Sequence, residues 1–128
     1  MVNYIRDGEL SEIEQRVNAV ESWTYSITTT LAQDGLSLGD VYTHHLKGID
    51  KLVRNDAQVR YVLFTCINKD SPRQRPHGHG LIRTTLPEWK VQKLFWGYGT
   101  TIRPVYDLQR WLDYCTSQAV STTTLLNI

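Results

Sequence analysis

The chain has 128 residues, 41% of them apolar and 21% charged, with a formal net charge of +1. These values suit one globular domain with a single modest core and exclude a long disordered tail. A near-neutral balance also excludes wholesale electrostatic attraction to nucleic acid, so any affinity for phosphate must come from a local cluster of charge.

The two cysteines, Cys66 and Cys115, lie far apart without paired spacing. That argues against a thiolate zinc site or a disulfide scaffold and favours a reducing, intracellular compartment. No signal peptide is visible, and no apolar run approaches the ~20 residues of a spanning helix, so no membrane partner is expected.

Taken in chain order, a first helix is predicted to open at Ser11, which pairs with Glu14 as a capping box ahead of Ile13, Val17 and Val20. WTYSITTT, from Trp23 to Thr30, is rich in aromatic and β-branched residues and reads as a strand. A second helix spans Ser37 to Arg54, where Leu38, Val41, Leu46, Ile49, Leu52 and Val53 recur at helical spacing despite Gly48. RYVLFTCIN (Arg60 to Asn68) and HGHGLIRTT (His77 to Thr85) form an antiparallel hairpin around the polar link KDSPRQRP. A short third helix starts at Thr85 with Glu88 and Pro87 and stops at Gly97. A brief strand at Thr100 to Arg103 follows, and Asp107 then caps a last helix whose core face is Leu108, Trp111, Leu112, Cys115 and Ala119. The alternation predicts one α+β domain, an antiparallel-rich sheet of about four to five strands with helices on one face.

The residues that carry chemistry converge on two segments. In His77-Gly78-His79, the period-two geometry of a strand points both imidazoles to one face, where two nitrogen ligands could meet a metal. Gly78 and Gly80 are expected to leave the backbone open for a phosphate to approach. In the last helix Tyr114 and Gln118 share a face, so a phenol stands beside a carboxamide that could be a third, oxygen ligand. A phenol is mostly protonated at neutral pH, and its attack on phosphorus needs a metal or base to offset the developing charge. Taken singly, each of these residues is also explained as an ordinary solvated or core-margin side chain; the combination is the signal.

RPHGHGLI, WLDYCTSQ and WTYSITTT, in that relation, resemble the motifs of the HUH endonucleases, and more narrowly the single-tyrosine rolling-circle replication initiators of plasmids and viruses. The resemblance runs from Trp23 to Gln118; its histidine and tyrosine motifs are specific, whereas the first is weak. It implies a ferredoxin-like palm, metal binding by His77 and His79, attack by Tyr114 on single-stranded or hairpin origin DNA, and a 5′-phosphotyrosine with a free 3′ hydroxyl. It further implies residues 1–128 as the catalytic part of a longer protein, a fused or host helicase as partner, and a site of action in a prokaryotic cytoplasm or the nucleus of a host cell.

Two departures stand out. Ser117 occupies a position where a lysine is frequent, and the strand Arg60 to Asn68 offers no carboxylate ligand. Gln118 is then the third-ligand candidate, similar to the arrangement in single-tyrosine transposases of small insertion sequences, which would act as dimers. Two imidazoles and an amide oxygen favour Mn2+ over Mg2+.

Tyr98 and Tyr106 are weaker nucleophile candidates, being followed four positions later by Ile102 and Arg110. His44 and His45 diverge on a helix and read as structural or solvated. Lys69, Arg73, Arg75 and Arg83 form the local positive cluster expected to contact DNA phosphates, and Trp23, Tyr25 and Trp89 are candidate base-stacking rings. The contrasting reading is a non-catalytic single-stranded nucleic-acid binding module with incidental histidines, although YVLFTCIN lacks the aromatic signature of RNA-recognition sheets.

Overall fold

The computed structural model describes residues 7–30, 37–67, 75–117, 119 and 124–128. Its elements are α1 (Asp7–Ala19), β1 (Tyr25–Thr30), α2 (Leu38–Asn55), β2 (Arg60–Ile67), β3 (Pro76–Arg83), α3 (Glu88–Leu94), β4 (Thr100–Pro104), α4 (Leu108–Ser117) and β5 (Leu125–Asn127).

Most ends follow local signals. Ser37 caps α2, its hydroxyl accepting from the Asp40 N–H (3.3 Å) while the Asp40 carboxylate accepts from the Ser37 N–H (2.7 Å). Asp107 caps α4 by accepting from the Arg110 N–H (3.1 Å).

Two predicted helix starts are displaced. Ser11 lies inside α1, because Leu10 extends the stripe of Ile13, Val17 and Val20 that packs on the sheet. Glu14 reaches sideways to accept from the Thr116 hydroxyl (3.4 Å). Thr85 does not cap α3. Its N–H and the Thr84 hydroxyl are both drawn to the Asp56 carboxylate at the end of α2, and Pro87 becomes the cap. β5 was not predicted; three residues are too few to show a period.

All strand pairs are antiparallel and the order is β4-β1-β3-β2-β5. From β1 through β4 the chain runs strand, helix, strand, strand, helix, strand, with β1 and β3 central: the split βαβ pattern of a ferredoxin-like sheet, extended at the β2 edge by β5.

Strand alternation creates two cores. Ile27, Leu63, Ile82 and Ile102 pack with Ile49 and Leu52 of α2 and Val91 and Phe95 of α3. Val62, Phe64, Cys66 and Leu81 pack with Val17 of α1 and Leu112 and Cys115 of α4. Helices therefore cover both faces, where the sequence suggested one. Val62 to Ile67 is buried without interruption, so β2 needs a roof on either side.

The second roof is partial. α1 and α4 cover β2 and β3, while the residues of β1 and β4 on that face are Ser26, Thr28, Thr30, Thr101 and Arg103, hydrophilic and partly or fully exposed.

Gly80 is needed where β3 meets β2: an added Cβ would overlap the Val62 carbonyl oxygen and the Leu63 side chain, neither free to yield. Gly39, in the first turn of α2, meets only the Ser37 hydroxyl at 3.5 Å. Gly80→Ala is expected to cost about 1–3 kcal/mol in urea unfolding, whereas Gly39→Ala should be neutral or stabilise by up to about 1 kcal/mol. Equal effects of the two would refute this account of β3 packing.

Candidate metal and tyrosine site

β3 is the central strand that carries the histidines. His77 and His79 face α4, with ring centroids 4.8 Å apart, and their cross-strand partners on β1 are Thr30 and Thr28.

The intervening glycines serve the other face. A Cβ on Gly78 would run into the His45 ring of α2, and one on Gly80 into β2. The expectation that they open the backbone to a phosphate is therefore corrected: their missing side chains make room for α2 and for β2, behind the histidine face.

α4 brings the phenol to the imidazoles. Its apolar positions Leu112 and Cys115 are fully buried on the sheet, which turns Tyr114 toward the margin, where it is 47% exposed. The Tyr114 ring stands against His79 with centroids 4.8 Å apart at 70°, and Trp111 stands 5.3 Å from the same imidazole. The Trp111 indole N–H donates to the Gly80 carbonyl (2.9 Å), pinning this part of α4 to β3. Sequence reasoning put Trp111 in the core; its contact with His79 was not visible, since it depends on how α4 crosses the sheet.

The histidine nitrogens are unusual in their partners. His77 Nδ1 lies 3.0 Å from the Arg75 carbonyl oxygen, and since a carbonyl only accepts, Nδ1 is the donor in that contact. His77 Nε2 and both nitrogens of His79 are buried without a hydrogen-bond partner among the described residues. Burial, and then the neighbouring His77 and His45, push the His79 pKa down to about 3, so the ring is neutral. The neutral His79 ring and the His77 ring, whose Nδ1 is held by a backbone carbonyl, leave nitrogens that could serve as donors to a divalent metal. The pair therefore fits a metal. Among the described residues no group of three His, Cys, Asp or Glu that could hold a metal converges.

No match is found in a scan against protein-family models, among curated proteins or among solved structures.

Of the other predicted site residues, Gln118, Lys69 and Arg73 lie outside the described residues. Arg75 enters β3 next to His77. Arg83 is at the opposite end of that strand, roughly 26 Å away at strand rise, and faces Arg60 across β2. It does not join Arg75 in one cluster.

Trp23 and Tyr25 are core rings, donating to the Val17 carbonyl (3.0 Å) and the Leu86 carbonyl (2.8 Å), so they are not available for stacking; Trp89 is 67% exposed. Tyr98 packs on His44 behind the sheet, away from the site. Cys66 and Cys115 are free and buried, and burial raises both thiol pKa values, Cys66 to about 12, which leaves them unreactive.

His44 and His45 are structural. Each is buried and meets a sheet hydroxyl, His44 with Thr100 (2.8 Å) and His45 with Thr29 (3.0 Å), and the two threonines meet each other (3.0 Å). Burial, reinforced by the adjacent His44, lowers the His45 pKa to about 3. A folded-state pKa below the unfolded value of about 6.5 means that the unfolded chain takes up the proton first. Stability is complete above pH 6.5 and falls from there toward the folded pKa, by up to about 1.4 kcal/mol per pH unit from this group. His45→Gln, which keeps a polar contact for Thr29 and cannot titrate, should flatten the dependence of the urea midpoint on pH below 6.5. An unchanged slope would exclude His45 as its source.

Proposed function

We propose that this chain is a metal-dependent endonuclease and strand-transferase of single-stranded DNA, with Tyr114 as nucleophile. The observation that carries the reading is the contact of the half-exposed Tyr114 ring with His79, whose two nitrogens, like His77 Nε2, have no partner among the described residues. A phenol beside unpaired imidazoles on a rigid sheet is costly to build, and this chemistry gives it a use.

His77 and His79 would hold the metal, with Gln118 as the third donor expected from the sequence. When bound, the metal would offset negative charge gathering on the phosphate oxygens. Tyr114 Oη forms a bond to phosphorus as the bond from phosphorus to the 3′ oxygen breaks; the phenol gives up its proton to solvent, and the leaving oxygen takes one from solvent. The product is a 5′-phosphotyrosine with a free 3′ hydroxyl, and attack by a 3′ hydroxyl on the same phosphorus reverses the link and joins strands. Trp111, tied to Gly80, holds the α4 segment that positions the phenol.

The open strip of Ser26, Thr28, Thr30, Thr101 and Arg103 beside the histidines supports a single strand as substrate, since hydroxyls and an arginine can meet phosphates without reading bases. The resemblance of the His77 and Tyr114 motifs to replication initiators makes origin DNA the expected target, with Mn2+ or Mg2+ as the metal and a helicase as the partner in replication. No helix among the described residues is long and apolar enough to cross a membrane.

Incubation with single-stranded and hairpin oligonucleotides plus Mn2+ should yield a covalent adduct mapped by mass spectrometry to Tyr114, and a chelator should abolish it. Tyr114→Phe and the double variant His77→Ala/His79→Ala should each lower adduct formation by at least about a thousandfold. Calorimetry should show Mn2+ binding retained by the first and lost by the second. An adduct that persists in Tyr114→Phe overturns the nucleophile; DNA binding without adduct or metal dependence favours a non-catalytic binding module.

A further inference from the structure

Beside Tyr114, on the side away from the histidines, the segment joining β4 to α4 forms a cleft of about 660 Å³. Its walls combine three kinds of group. Tyr106, Trp111 and Tyr114 contribute aromatic surface, and the Tyr106 ring is 89% exposed. Arg103, from the open strip of β4, and Arg110, from the first turns of α4, contribute cations, both exposed. Ser26 and Val105 complete the lining, with Asp107, whose carboxylate caps α4 through the Arg110 N–H.

An aromatic ring left almost entirely in solvent gains nothing for the fold. Neither cleft arginine forms an ion pair with a carboxylate among the described residues, and Arg103 Nη1 donates to the Ile102 carbonyl at 3.4 Å. Flat apolar surface and guanidinium groups without a carboxylate partner together match a nucleotide: a base has two π-faces to stack, and its phosphate needs a cation. Because Tyr114 is itself a wall, an occupant of the cleft lies against the residue proposed as nucleophile.

We propose that this cleft binds the nucleotide next to the scissile phosphate of single-stranded DNA, stacking its base on Tyr106 against the Trp111 side and holding its phosphate with Arg103 and Arg110. The inference rests on the strand-transferase reading for its substrate, yet it concerns binding, which can be measured without turnover. The cleft then selects a splayed single strand over a duplex, because a paired base cannot leave its stack without cost.

The test is fluorescence anisotropy with labelled thymidine and adenosine homopolymers and a mixed-sequence single strand, in chelator so that no covalent step follows, over a series of salt concentrations. Arg103→Ala and Arg110→Ala should each weaken binding and make the plot of log affinity against log salt shallower by about 0.7, as expected when one phosphate fewer is neutralised. Tyr106→Ala should weaken binding roughly tenfold with the salt slope unchanged. Arg110→Lys should restore the slope. Arg54→Ala, on the opposite side of the sheet, should bind as the wild type does, and thermal melting should be the same for all four exposed-site alanine variants. Cleft variants that bind like Arg54→Ala, or a wild type that binds duplex as well as single strand, would overturn the proposal. If cleft variants lose binding while the wild type forms no adduct at Tyr114 with Mn2+, the cleft stands and the catalytic reading falls. If the adduct forms and cleft variants bind normally, the reverse holds.

Discussion

The register of β3 between β1 and β2 is the constraint on which the site depends. A strand in the middle of a sheet has no free edge, so each residue must serve one face or the other. In His77-Gly78-His79-Gly80 the odd positions serve α4 and the even ones make room for His45 and for β2. A slip by one residue would drive imidazoles into α2 and leave glycines under Tyr114. The packing of α2 therefore guarantees, from behind, the direction of the histidines in front.

The four histidines fall into two pairs that differ in how far their nitrogens are satisfied, His45 Nδ1 being the one unpartnered nitrogen of the first pair among the described residues. His44 and His45 each find a threonine hydroxyl and join a chain through Thr29 and Thr100 that ties α2 to β1 and β4. His79 is buried and His77 partly so, yet three of their nitrogens have no partner among the described residues. Leaving a buried polar group unpaired costs about 1–3 kcal/mol, so the second pair is a place where stability is given up. Unpartnered nitrogens gathered at one point, beside an exposed phenol, are what the proposed catalytic role would put to use.

The uneven roof on the α4 face decides what can reach that centre. Over β2 and β3 the helices α1 and α4 seal an apolar core, including two inert thiols. Over β1 and β4 there is no helix among the described residues, and the sheet shows threonines, a serine and Arg103. Tyr114 stands at the boundary between the two regions, with the His79 ring on one side and the aromatic, arginine-lined cleft on the other. A linear substrate lying along the open strip would pass both.

What the sequence determined by itself was local. The alternation of His77 and His79, the capping of α4 by Asp107, the stripe of α4 and the order of strands and helices from α1 to α4 all follow from spacing over a few residues, and the structure reproduces them. The nucleophile candidate was legible for the same reason: in an amphipathic helix anchored by Leu112 and Cys115, the exposure of Tyr114 is set by periodicity. The remainder was decided between distant segments. Asp56 draws Thr84 and Thr85 away from capping α3, α1 begins early to meet the sheet, and β5 exists because the β2 edge accepts it. The purpose of Gly78 and Gly80, the separation of Arg83 from Arg75, and the meeting of Tyr106, Arg103 and Arg110 beside Tyr114 likewise depend on which surfaces are pressed together. Periodicity states which way a side chain points; only the packed chain states what it points at.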